Sequence, residues 1–216
     1  DAWGGETYLW HCMLAQQGYV VMSIDNRGTA APRGRLWRKI IYRQVGILAS
    51  EDQAAATRQI LGERPWLDAS RVGIWGWSGG GSMSLNAIFR YPDLYRTAMA
   101  IAFISNQRFY DTIYQERYMG LPAANPDGYR NGSPITFANQ LKGNLLLVYG
   151  TGDDNCHYQN CEVLINELIT HNKQFSLMSY PNRTHAIKEG KNTRRHLFET
   201  LTRYLRENLP AGPVGK

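Results

Sequence analysis

The sequence predicts an α/β fold, a mostly parallel sheet with helices on both faces, and three observations predict it. Short apolar runs such as Leu145-Leu146-Leu147-Val148-Tyr149 have the length and bounds of buried strands. They alternate with segments whose apolar residues recur at helical spacing, such as Thr193 to Leu205, and that alternation builds a parallel sheet covered on both sides. The residues able to do chemistry follow the apolar runs, where parallel sheets carry their working groups.

Taken in order, Leu9 to Gln17 is helix-compatible, with Gly18 placed as its C-terminal cap. Tyr19-Val20-Val21-Met22-Ser23-Ile24 reads as a buried strand ending in the turn-rich Asp25-Asn26-Arg27-Gly28. Residues 29–46 are basic and contain glycine, and they specify no element. Ser50-Glu51-Asp52-Gln53 has the form of a capping box, so a helix is expected from Ser50 through Leu61. Arg71 to Trp75 reads as a strand, Gly76-Trp77-Ser78-Gly79-Gly80 as a tight turn, and Ser82 to Phe89 as a helix. Ala98 to Ile104 and Leu145 to Tyr149 are further strands, and residues 125–132 read as a surface loop. Glu162 to Ile169 reads as a helix, Phe175 to Tyr180 as a strand and Thr193 to Leu205 as an amphipathic helix. One domain over residues 1–209 is expected, with 210–216 a flexible tail.

Composition narrows the class. The chain has 216 residues, 43% of them hydrophobic and 19% charged, which suits a globular domain with a substantial core. No apolar run approaches the roughly 18 residues of a membrane helix. The net charge is +6, yet the small basic groups at Arg33 to Lys39 and Lys188 to Arg195 lack the aromatic interleaving or zinc-finger spacing of a nucleic-acid binder. A solvated basic surface is expected instead. Cys12, Cys156 and Cys161 are too few for a disulfide framework, and a pair five positions apart on a helix start is awkward to bridge. The chain begins at Asp1 without methionine or leader, so a piece of something longer is expected, and its compartment stays open.

The pattern G-x-S-x-G between a strand and a helix makes Ser78 a candidate nucleophile, with helix N–H groups aimed at its oxygen. A serine hydroxyl needs a base, and a carboxylate behind an imidazole fixes its tautomer and stabilises the imidazolium. His185 is the histidine in a loop after a strand; His11, His157, His171 and His196 lie on helices or a helix entry, where a surface role is expected. Asp153 and Asp154 both follow the strand ending at Tyr149, and spacing does not choose between them. The order serine, acid, histidine is that of the α/β-hydrolase arrangement.

Three segments carry a resemblance: Gly76-Trp77-Ser78 with Gly80-Gly81, the stretch Tyr110 to Pro122 containing Tyr-Met-Gly-Leu-Pro, and Gly150-Thr151-Gly152-Asp153-Asp154-Asn155. With them the sequence from about Val20 to Leu205 resembles the catalytic domain of dipeptidyl peptidase IV-type serine peptidases of the prolyl oligopeptidase family. The resemblance implies Ser78 as nucleophile, His185 as base, Asp153 as triad acid and the Gly79 N–H in the oxyanion hole. It implies Asn155 on a substrate carbonyl, Tyr110 near the substrate amino terminus, Tyr114 as a pocket wall, and Ile104 and Cys156 as apolar wall positions. Gly79 stands where well-known members have tyrosine, and Gln107 where an aromatic wall residue is expected, which implies a wider or more polar pocket.

The resemblance further implies a peptide substrate, an N-terminal β-propeller upstream, and first sheet strands, one bearing a second oxyanion donor, that would precede Asp1. It favours a periplasmic or secreted setting and allows a homodimer. No metal or organic cofactor is implied. The expected activity is release of dipeptides with Pro or Ala in second position through an acyl-enzyme on Ser78. An acylaminoacyl peptidase or carboxylesterase shares the triad, and a catalytically silent binding homologue is the alternative from another class.

Overall fold

The computed structural model describes residues 5–30 and 32–212. Four parallel strands form one sheet in the order β1 (Gly73–Trp77), β2 (Thr97–Ile101), β3 (Asn144–Gly150), β4 (Ser176–Tyr180). Their residues alternate between two apolar layers, as the two-residue period of a strand requires. Ala98, Ala100, Leu145, Leu147 and Tyr149 face one layer, which holds Leu85, Ile88 and Phe89 of α4 (Gly79–Arg90) and Cys161, Leu164 and Leu168 of α7 (Gln159–Thr170). Ala54 of α3 (Leu48–Glu63) joins the same layer. Met99, Ile101, Leu146 and Val148 face the other, against Trp10 and Leu14 of α1 (Gly5–Gln16) and the Leu197, Leu201, Leu205 stripe of α8 (Thr193–Asn208). The expected α/β architecture with helices on both faces is therefore what the chain adopts. Leu147 is fully buried, and truncating a leucine so placed to alanine costs about 2 to 5 kcal/mol.

Three local expectations are corrected. Tyr19 to Ile24 does not form a buried strand: it runs without strand pairing, with Val20 61% and Met22 42% exposed. Gln53 Nε2 holds Ile24 O at 2.8 Å, and the segment lies across a cavity of about 800 Å3 from β1, both sides contributing walls. A strand pattern needs a neighbour to pair with, and none of the described residues supplies one. Helix α3 begins at Leu48 with Ile47 as N-cap, not in a capping box at Ser50. Ser50 is buried in the first turn with its hydroxyl donating back to Ile47 O at 2.9 Å, and Asp52 is taken by Arg27 at 2.7 Å.

Residues 125–132 are not a surface loop. Asn125 caps α6 (Pro126–Gly132), its Oδ1 accepting from the Gly128 N–H at 3.2 Å with Pro126 in the first turn. A Cβ at Gly132 would run into Val45 O, so that glycine marks a close backbone approach. Of the expected tail, residues 213–216 lie outside the described ones, while Arg71 donates to Pro210 O at 2.7 Å and to Gly212 O at 2.5 Å.

The strand register delivers the candidate site. The ladder continues past the strand ends, with Ser78 N–H donating to Ile101 O at 2.8 Å, Ala102 N–H to Val148 O at 2.9 Å, and Thr151 N–H to Tyr180 O at 3.0 Å. Four loops are thereby held side by side at the carboxyl edge.

Candidate active site

Ser78 sits on the turn between β1 and α4 with φ 58° and ψ −120°, a backbone that a non-glycine residue adopts only when its surroundings enforce it. The enforcing contacts are specific. A Cβ at Gly76 would collide with the Gly80 backbone, and one at Gly81 would stand 2.7 Å from Ile101 O, so both glycines let α4 close onto the sheet. At Gly79 and Gly80 an added Cβ meets nothing within 4 Å. The first N–H groups of α4, Gly79's among them, lie at the helix start, where an oxyanion is favoured.

The loop after β3 supplies the acid. Asp153 Oδ2 lies 2.8 Å from His185 Nδ1, and its side chain is 0% exposed. Its other oxygen accepts from the backbone N–H of Asn155 at 3.0 Å and of Cys156 at 2.8 Å. Asp154, its neighbour, points to an exposed position. A carboxylate so held fixes the imidazole's orientation and leaves Nε2 as the nitrogen free to exchange a proton. The imidazole is pushed up to about 10, first by the hydrogen bond to Asp153 and next by the Cys156 thiol, against the opposing effect of burial.

The loop after β4 is itself braced. Thr184 Oγ1 donates to Glu189, whose carboxyl is thereby held down at about 2. Ile187 is fully buried in the left-handed region at φ 44°, and its N–H closes a turn on Thr184 O at 3.1 Å. Gly152 N–H donates to Arg183 O at 3.1 Å, and the Trp77 indole N–H donates to His185 O at 2.9 Å, bringing the histidine loop against the residue before Ser78. Among the described residues no hydrogen bond joins Ser78 Oγ to His185, a contact that in sites of this kind tightens when substrate binds.

The remaining candidates gather beside this group. Tyr110 OH donates to Asn155 Oδ1 at 2.9 Å, and its ring meets Tyr114 edge-on at 5.3 Å. Tyr114 in turn meets Tyr118 at 4.8 Å with the rings tilted. Ile104 and Cys156, both buried, belong with Tyr110 to one apolar cluster. Gln107 is buried, but its amide is spent on Gly132 O at 3.2 Å and on Gln115. His11 departs from its expected surface role: it is partly buried, accepts from Trp75 Nε1 at 3.1 Å, and is shifted downward by burial. Sequence reasoning missed Trp77, because a backbone carbonyl 108 positions away leaves no local signal.

No cluster of three His, Cys, Asp or Glu side chains suited to a metal occurs among the described residues. No helix among them is long and apolar enough to cross a membrane.

The model of the prolyl oligopeptidase family matches residues 7–211. Prolyl endopeptidase FAP of Mus musculus is 34% identical over 198 residues, covering 90% of this chain and 26% of that protein. Dipeptidyl peptidase 8 of Mus musculus is 37% identical over 202 residues, covering 91% of this chain and 22% of that protein. The crystal structure of Porphyromonas gingivalis dipeptidyl peptidase 4 is 43% identical with TM-score 0.89, over 93% of this chain and 28% of that one. The chain thus spans about a quarter of the length of the relatives it matches. Its sheet, its strained serine turn and the match over residues 7–211 agree: the chain belongs to the prolyl oligopeptidase family of serine peptidases.

Proposed function

We propose that this chain is the catalytic part of a serine exopeptidase that releases dipeptides from peptide amino termini, with proline or alanine in second position. The observation that carries the reading is the buried Asp153 carboxylate on His185 Nδ1 at 2.8 Å, in a loop tied to the residue before Ser78. Ser78 Oγ attacks the scissile carbonyl while His185 Nε2 takes its proton, and Asp153 stabilises the resulting imidazolium. The oxyanion develops against the Gly79 N–H. His185 then returns the proton to the departing amine, leaving an acyl-enzyme on Ser78 that water, activated by the same histidine, hydrolyses.

Position supports the proposed pocket roles. Ile104 and Cys156 offer an apolar wall, Tyr110 and Tyr114 offer rings, and Asn155 keeps its amide N–H groups for a substrate carbonyl while its oxygen holds Tyr110. Dipeptidyl peptidases among the relatives support a free amino terminus on the substrate, and their greater length supports an upstream β-propeller.

Two measurements on the full-length protein test the reading. Ser78→Ala is expected to remove turnover by several orders of magnitude while the fold persists; residual activity within about tenfold would overturn the nucleophile. Free-amine Xaa-Pro and Xaa-Ala substrates should be cleaved and their acetyl-blocked forms refused. Preference for the blocked forms would show an acylaminoacyl peptidase instead.

A further inference from the structure

We infer that Trp77 is a positioning residue for His185, its indole N–H holding the histidine's own carbonyl so that base and nucleophile stay in register. The inference rests on the site reading above but stands on a different observation. The loop after β4 has carbonyls held from three separate elements: Arg183 O by the Gly152 N–H, His185 O by Trp77 Nε1 at 2.9 Å, and Ala186 O by Arg194 Nη1 at 3.2 Å. The first tie comes from the acid's loop, the second from the strand that ends at the nucleophile, and the third from α8. The two side chains are themselves coupled, the Arg194 guanidinium lying 5.3 Å from the Trp77 ring and 5.0 Å from that of Phe198. Glu6 of α1 holds the same guanidinium at Nε, 2.9 Å.

Position within the chain gives Trp77 its leverage. It adjoins Ser78, whose strained backbone fixes where Oγ stands, so one residue spans from the nucleophile's turn to the base's peptide. A loop that carries a catalytic imidazole and hangs between a strand and a helix gains rigidity where its peptide group is hydrogen-bonded, and misplacement of about 1 Å costs roughly 10²-fold in rate. An aromatic ring alone would fill the space against α8; the indole N–H is what the carbonyl needs.

The test uses the full-length protein with Trp77→Phe, which keeps a ring for Arg194 and removes the donor. Sites are counted by titration with a fluorophosphonate. The expected result is a fall in kcat per titrated site of about tenfold, the size of one lost hydrogen bond, with KM within about twofold. Arg194→Lys, at a partly exposed position, should give a smaller fall in the same direction and guards against a folding failure of the first variant. Histidine hydrogen–deuterium exchange read by mass spectrometry gives a second, activity-free readout: the His185 titration should move to lower pH in Trp77→Phe as the Asp153 contact loosens. Unchanged kcat per site together with an unmoved His185 titration would overturn the inference. A His185 titration that moves in Trp77→Phe, in a protein whose wild type neither turns over nor labels, would uphold it while refuting the peptidase reading.

Discussion

Asp153 Oδ2 stands 2.8 Å from His185 Nδ1 with the carboxylate sealed from solvent and the imidazole partly open to it. That asymmetry sets a pH dependence. Paired with Asp153, the imidazole is raised from 6.5 to about 10, so the folded protein holds the proton more tightly than the unfolded chain does. The stability this contributes is complete below pH 6.5 and is lost as pH rises through the folded value of about 10. In the proposed mechanism a neutral imidazole is the working base, so kcat/KM should climb with pH across the same alkaline range. In Asp153→Asn the climb should shift to lower pH, and the difference in Tm between the two proteins should narrow from pH 6.5 to 10. Parallel Tm profiles over that range would show that the pair does not titrate as described.

The two neighbouring carboxylates should separate cleanly. Asp153→Asn is expected to lower kcat by roughly 10³ to 10⁴ through the wrong imidazole tautomer. Asp154→Asn, at an exposed position, should change kcat by less than about threefold, the range of a surface substitution. Steady-state kinetics on one Xaa-Pro substrate decides it, and a reversal of the two effects would move the acid to Asp154.

How much of this was legible in the sequence depends on whether a residue's partners are local. The Leu145 to Tyr149 strand and the Leu197, Leu201, Leu205 stripe report burial through their own periodicity, and the structure buries both. The placement of Ser78 on a strained turn and of His185 in a loop after a strand was legible because both have local signatures. The Tyr19 to Ile24 run has the same apolar signature, but strand pairing is supplied by another segment, which its own residues do not encode. Ser50 and Asp52 look like a cap in one dimension; in three, Gly46 and Ile47 carbonyls and Arg27 compete for them and win. Residues 125–132 read as a loop because Asn-Pro and glycine also mark turns, whereas here the glycines admit Arg43 O and Val45 O against a short helix.

The pocket offers a sharper test at Gly79, where an added Cβ meets nothing within 4 Å. Gly79→Tyr should therefore fold, and the new ring should close one side of the pocket. Burying one apolar side chain is worth about 1.5 to 3 kcal/mol, so a partial wall should raise the preference for proline over alanine by about tenfold. Gln107→Leu should act differently, because its amide serves Gly132 O and Gln115 inside the protein. It should cost about 1 to 3 kcal/mol of stability, with the proline preference unmoved. A dipeptide–fluorophore library and thermal unfolding measure the two; specificity that changes with Gln107 and not with Gly79 would place the pocket wall wrongly.

The free edge of β1 makes the last prediction. Among the described residues β1 pairs with β2 alone, and its other side opens on the cavity of about 800 Å3 whose far wall includes Val20 and Met22. Backbone donors and acceptors along an unpaired strand, flanked by exposed apolar side chains, form a template for another extended segment. Expressed as this 216-residue chain, the protein should self-associate at tens of micromolar, the range in which exposed strand edges cause trouble. Val20→Lys with Met22→Lys should reduce that association, since charge lining an edge opposes pairing and both residues are already exposed. Asp153 and His185 do not line this cavity, so the variant's His185 titration should match the parent's. Sedimentation velocity reads the outcome: a parent chain that stays monomeric at those concentrations would show that the β1 edge is not a pairing surface.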